Sequence, residues 1–235
     1  MNKLIFFMCV FAVSNNTFAQ QKKTYRTVIF KTIANGEKLS LNDSVYTNSY
    51  KEIYTVSKLK YYVSNIHLIY AGKNKIKKSV QLIDASKNNT LKVQSYGTKI
   101  KGLSFLLGVD SLNNCSGAQS GALDPLNDMF WTWNNGYVMF KLEGKSDSSK
   151  ADNNRIEQHI GGYKGANKTM REIFLPLNEN YFNTHTNITI QLNLDKYWKG
   201  INEVRIAETP VITSPGEAAK NAADNFEGMF LIKNN

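Results

Sequence analysis

Trp131 and Trp133 stand one residue apart in the segment MFWTWNNGY, beside Met129, Phe130 and Tyr137. In an extended chain side chains alternate, so Met129, Trp131 and Trp133 are expected on one face, with a turn at Asn134-Asn135-Gly136 sending the chain back. An indole offers an N–H donor and no lone pair for a metal, whereas Met sulfur and His nitrogen are ligands for soft and borderline metals. His159, followed by Ile160-Gly161-Gly162, is expected at a strand end beside a loop, where it serves as a ligand or as a hydrogen-bonded structural residue. His67 reads as a core residue in mid-strand, and His185 as exposed. Asp110 and Asp124 bracket the polar stretch before the tryptophans. As a pair they suit acid–base work or, with Asn113 and Asn114, a hard cation such as calcium. Their preferred reading is loop ordering, since carboxylates accept backbone N–H bonds and Asp124 precedes Pro125. The aromatic cluster also reads simply as a plug of core at one end of a sheet.

The stretch before the tryptophans, residues 108–128, is rich in Gly, Ser, Asn and Asp and holds few residues to bury. A loop of that composition needs hydrogen bonds to be ordered. Residues 111–122 are expected to fold over the Trp face and leave Trp131 partly reachable from solvent. The chain carries no Gly-rich phosphate loop, no serine elbow, and no His-x-x-His or Cys-x-x-Cys spacing, so no enzyme is read from it.

Period-two patterns dominate the elements that must hold these residues. Strands are expected at 25–33, 59–70, 79–83, 101–107, 137–142, 156–160, 171–175, 189–194 and 203–206. Residues 59–70 alternate with both faces largely apolar, Leu59, Tyr61, Val63 and His67 on one and Tyr62, Ile66 and Leu68 on the other, as in a strand covered on both sides. Turn pairs such as Asn35-Gly36 and Gly161-Gly162 separate the runs. Near the end, Ser214-Pro215-Gly216-Glu217 starts a short helix with Ala218, Ala219, Ala222, Ala223 and Phe226 at helical spacing. The fold class is all-β, a single antiparallel β-sandwich domain over residues 24–232 with a long functional loop and a short C-terminal helix.

Residues 1–19 have one early cation, Lys3, an apolar run from Leu4 to Val13 and an end at Thr17-Phe18-Ala19, the layout of a cleaved signal peptide. The run is far shorter than the roughly 20 residues that span a bilayer, so no transmembrane segment is expected in the mature chain. Cys9 would leave with the signal, and Cys115 alone would remain, read as a small buried thiol. A periplasmic or cell-surface setting in a Gram-negative bacterium fits. The net charge of +10 is spread along the 235 residues, with concentrations at 73–78 and 21–23. Export and the absence of a nucleic-acid motif exclude nucleic acid as partner, and the run at 73–78 reads as a solvated hairpin tip.

LKYYVSNIHL, LID, GVD, LDP…MFWTWNNGYVMFKLEG and HIGG occur here in the order seen in the MbnP-like family, which the chain resembles from about Tyr25 to Phe230. These are secreted copper-associated proteins, related to methanobactin-linked MbnP and to surface copper proteins of methane-oxidising bacteria. The resemblance implies an all-β domain in which one Trp is oxidised to kynurenine by a partner dihaem enzyme of the MauG/MbnH type, with copper held by that residue and histidine. The matching residues are Trp131 and His159, with Met129, Trp133, Asp110 and Asp124 as lining. The chain would then be the substrate of that oxidation and not a catalyst. The position two after Trp131 is Trp133, not a second histidine; His67 and His185 lie outside matching motifs, and Met129, Met139 and Cys115 are the soft alternatives. A metal-free envelope interaction or structural module is the other reading.

Overall fold

The computed structural model describes residues 24–233 except Lys73, Thr98, Trp133, Asn134 and Glu179. The expected signal peptide and the Trp133 assignment therefore lie outside the described residues. Five strands make one sheet: β1 (Thr24–Ala34), β2 (Glu37–Lys38), β6 (Asn89–Ser95), β12 (Asn187–Asn193) and β14 (Phe230–Ile232), with β1 between β12 on one side and β6 and β2 on the other. Nine more make the second: β3 (Val45–Thr47), β4 (Ile53–Tyr70), β5 (Val80–Asp84), β7 (Ile100–Leu107), β8 (Phe130–Thr132), β9 (Gly136–Lys145), β10 (Arg155–Gly161), β11 (Arg171–Pro176) and β13 (Val211–Ile212). Its main path runs β11-β7-β4-β9-β10-β13. The two sheets form the expected sandwich, but pairing is mixed: β1 runs parallel to β12 and β10 to β13.

The main core lies between the sheets, because the long strands send one row of apolar side chains inward. Phe30 on β1 meets Tyr61 on β4 and Phe105 on β7, with ring centroids 6.4 and 5.9 Å apart. Phe140 on β9 stacks on Tyr197 at 5.1 Å. The C-terminal helix forms over Glu217–Asp224 and buries Ala219, Ala222 and Ala223, while Phe226 follows in a 3₁₀ turn.

Three strand expectations change. In β4, Asn65 has φ 55° and the pairing with β7 shifts register between Ser64 and His67, a bulge that reverses the faces beyond it. Leu68 thus joins Tyr61 and Val63 in the main core rather than Tyr62. Residues 203–206 form no strand and keep only one isolated bridge, Lys199 to Glu203. The reason is the buried Glu52 carboxylate, which accepts the Ile206 N–H at 2.9 Å and the Ala207 N–H at 2.8 Å in place of a neighbouring strand. Residues 89–95, not expected as a strand, form β6 against β1.

Candidate functional site

A second, smaller cluster sits on the outer face of the nine-stranded sheet. It gathers Tyr62 from β4, Tyr137 and Met139 from β9, and Val109, Leu123, Met129 and Tyr163 from the segments that cross over them. Residues 108–129 form its cover. The cover is not purely polar as its composition suggested, since Val109, Leu123 and Met129 are buried in the cluster. Hydrogen bonds hold the rest. Asn114 is fully buried; its amide donates to the Val109 carbonyl at 2.6 Å and its carbonyl accepts the Tyr137 N–H at 2.9 Å. The Tyr137 hydroxyl donates toward the Leu123 and Gly117 carbonyls at 2.8 and 3.0 Å, and the Tyr62 hydroxyl toward Ala122 at 3.1 Å.

Asp110 and Asp124 take the loop-ordering role. Asp110 caps the helix Ser111–Cys115, its carboxylate accepting the Asn113 N–H at 3.0 Å and the Asn113 amide at 2.7 Å. Asp124 caps the turn Pro125–Asn127, accepting the Leu126 N–H at 2.9 Å. Cys115, expected to be buried, is exposed at the end of the short helix.

Past the cover the chain enters β8, which pairs with β9 as Phe130 with Tyr137 and Thr132 with Gly136, with a register shift between. That irregularity breaks the expected one-face alternation: Met129 is fully buried, and Phe130 and Trp131 both pack against the outer cluster. Trp131 is half-buried. Its six-membered ring lies over Gly161; a Cβ at that position would meet Trp131 Cζ3 at 2.6 Å and the Tyr137 carbonyl at 2.8 Å. The first glycine of HIGG is therefore the residue that admits the ring. His159 is two residues back along β10 on the same outer face. The structure brings Trp131 and His159 to one surface of the sheet, outside the main core.

His159 joins a charged lattice that the sequence reading missed. Lys58 and Lys60 on β4, Lys141 and Glu143 on β9, and His159 on β10 lie side by side, with Lys58 opposite Glu143 and Lys141 opposite both Lys60 and His159. His159 Nε2 is 2.9 Å from Glu143 Oε1. Lys58 Nζ lies 3.0 Å from Glu143 and 2.8 Å from Asp128; Lys141 Nζ is 3.0 Å from Asp128 and 3.7 Å from Glu143. Lys60 Nζ donates to the Asn127 carbonyl at 3.0 Å. Asp128, in the left-handed region at φ 62°, swings the end of the cover over these lysines. The hydrogen bond from His159, helped by both lysines against the cost of burial, holds the Glu143 carboxyl at about 2. Burial would raise Asp128, but hydrogen bonds from Lys58 and Lys141 outweigh it and bring that carboxyl to about 2. The signal was present as alternating charges at 58 and 60 and at 141 and 143. Only the cross-strand register reveals that they meet His159.

The other histidines are elsewhere. His67 is buried, with Nδ1 2.7 Å from the Asn65 carbonyl. His185 is half-buried and not exposed as expected, its ring stacked on Tyr181 at 4.3 Å. Among the described residues no three His, Cys, Asp or Glu side chains come together as a metal-binding group. A neutral His159 that donates Nε2–H to Glu143 keeps its lone pair on Nδ1, the arrangement in which a carboxylate orients a ligating imidazole. The intact indole of Trp131 has no lone pair for a metal, so the residues fit a metal only if that ring is first opened.

A family profile described as MbnP matches residues 23–214. No curated protein matches the chain. Among solved structures, MbnP from Methylosinus trichosporium is similar with a TM-score of 0.59 and 16% identity, over 79% of this chain and 80% of that one. At that identity the likeness speaks for the fold.

Proposed function

The chain belongs to the MbnP family, and from that premise we propose that it is an exported copper-binding protein whose site is completed by oxidation of Trp131 to kynurenine. The observation that carries this reading is the seating of a half-buried Trp131 over Gly161, on the face where Glu143 holds His159. Oxidative cleavage of the indole C2–C3 bond, with oxygen taken up through the external oxidant and C2 released as formate, supplies an aniline nitrogen that coordinates, where the intact ring has none. Bound copper would supply electron-transfer or storage chemistry. The chain's own residues do the rest. His159 offers Nδ1, and Glu143 fixes the ring. Lys58 and Lys141 keep Glu143 ionised, and Gly161 leaves room for the ring. A ring on an outer face also suits an external oxidant, in keeping with a dihaem partner and with this chain as substrate.

The test is protein purified from its native host with the haem partner present. Copper, and a kynurenine mass on the peptide holding Trp131, are expected. Added copper should raise the melting temperature of that protein, and His159→Ala should abolish the rise. Absence of both copper and the modified peptide would overturn the reading.

A metal-free envelope module is the second reading, favoured by Lys141. This residue is only 4% exposed and sits opposite His159, where its cation opposes a metal ion. On that reading the lattice is structural, Trp131 stays intact in the host, and copper leaves the melting temperature unchanged.

A further inference from the structure

Of the run at 73–78, which reads as a solvated tip in the sequence, residues 74–78 do not simply project into water. The Asn65 bulge in β4 captures its far end: the Asn65 N–H donates to the Ser79 carbonyl at 2.8 Å, and the Ser79 N–H to the Asn65 side chain at 3.2 Å. At the near end the Tyr70 N–H donates to the Asn74 side chain at 2.8 Å. Pinned at both ends, the segment roofs a cavity of about 310 Å³ at the place where edge strand β5 of one sheet meets edge strand β6 of the other.

The lining is one-sided in charge. Lys75 and Lys77 come from the roof and Lys92 from β6, and no carboxylate lines the cavity. Lys75 and Lys77 form no ion pair among the described residues. Lys75 Nζ instead lies over the Tyr96 ring at 4.8 Å, and Lys92 Nζ donates to the Thr27 hydroxyl at 2.6 Å. Ammonium groups gathered around a concavity without counter-charge repel one another, and an anion relieves that. The remaining walls are mixed, and Ser79, Gln81, Thr90 and Gln94 make part of them polar. Ile66, Leu91 and Val93 are apolar, and Tyr25 and Tyr96 are amphipathic rings. His67 completes the lining. Its Nδ1 meets the Asn65 carbonyl, which can only accept, so Nδ1 carries the proton.

We propose that this cavity is a binding site for a small organic anion that carries carboxylate or phosphate on a compact apolar body. The volume lies at the lower end for small-molecule sites, which span about 300–1,000 Å³, and so fits a compact molecule. Two features make it more than a basic patch: a floor that rewards an apolar body, and a roof fixed by hydrogen bonds. The proposal is independent of Trp131, His159 and copper.

Calorimetric titration of the mature protein at near-physiological salt tests it, with citrate, pyrophosphate and phenyl phosphate as probes. Saturable one-to-one binding of at least one probe is expected. Lys75→Glu with Lys77→Glu should weaken it at least tenfold, and since both side chains are exposed the melting temperature should hold. Tyr96→Ala should weaken phenyl phosphate more than pyrophosphate, which reports the apolar body. No saturable binding by any probe overturns the proposal. So does binding that the double reversal leaves unchanged. Association with anionic lipid vesicles without binding of any free probe would also overturn it, since the patch would then be a surface for macroscopic charge.

Discussion

The two sides of the nine-stranded sheet are built by different physics. The inner side is a continuous apolar layer facing a second sheet, and its large side chains are wholly enclosed. The outer side is a small aromatic and methionine cluster under a loop, tied down by Asn114, Tyr62 and Tyr137 and flanked by a lattice of lysines and carboxylates. One side is stabilised by excluding water and the other by completing hydrogen bonds at the edge of water. A residue meant to be reached from outside belongs on the second side, and Trp131 is there while Trp198 is fully buried in the first.

The sharpest way to break this comparison is to remove volume on one side and add it on the other. Phe140→Ala empties a position stacked on Tyr197 and packed against Phe226, and should cost about 3–5 kcal/mol in urea unfolding. Gly161→Ala forces a methyl against the Trp131 ring and the Tyr137 carbonyl, an overpacking worth about 1–3 kcal/mol. Part of that strain should be relieved by displacing Trp131, seen as a red shift of tryptophan emission with little change in β-sheet circular dichroism. Equal loss from both substitutions, with no emission change in Gly161→Ala, would mean that the outer cluster is simply more core.

Hydroxyl deletion sharpens the contrast further. The Tyr61 hydroxyl is enclosed in the main core with no hydrogen-bond partner among the described residues, and burial pushes that phenol well above its usual range. The Tyr137 hydroxyl serves two loop carbonyls. Tyr61→Phe should therefore leave stability unchanged or slightly raised, while Tyr137→Phe should lose about 1–2 kcal/mol and speed amide exchange in residues 108–123. The same sign for both would refute the distinction.

The inner side was the more legible in the sequence, and the reason is periodicity. Alternating apolar residues specify which faces meet, so the paths of β1, β7, β9 and β12 could be read within about three residues, while β4 starts at Ile53, six residues before its expected start. Legibility failed where a polar group intervened. Asn65 put a bulge into an apparently regular alternation, and a distant Glu52 took the amides of residues 206 and 207. On the outer side, Trp131 and His159 were found by motif and not by pattern, and the capping roles of Asp110 and Asp124 followed from their neighbours. The charges at 58, 141 and 143 were visible singly, but their meeting with Asp128 and His159 was not, because it depends on register between three strands and one left-handed residue.

The lattice gives the smallest expected effect and the one most diagnostic of the outer side. Glu143 is held at about 2 against an ordinary value of 4.5, and Asp128 at about 2 against 3.8. Both folded values are depressed, so the unfolded chain binds more protons between the two values, and stability rises with pH there. The contribution is full above about pH 5 and fades as pH falls toward 2. Because the groups are partly exposed, water and salt screen them, and for Glu143 it should be on the order of 1 kcal/mol or less. Glu143→Gln should thus be less stable than the parent at pH 6, converge with it near pH 2, and show a smaller gap in high salt. Phe140→Ala, losing only packing, should keep its deficit throughout. If the gap for Glu143→Gln is as large at pH 2 as at pH 6, the carboxylate acts by shape and not by charge, and His159 is not held by an ionised partner.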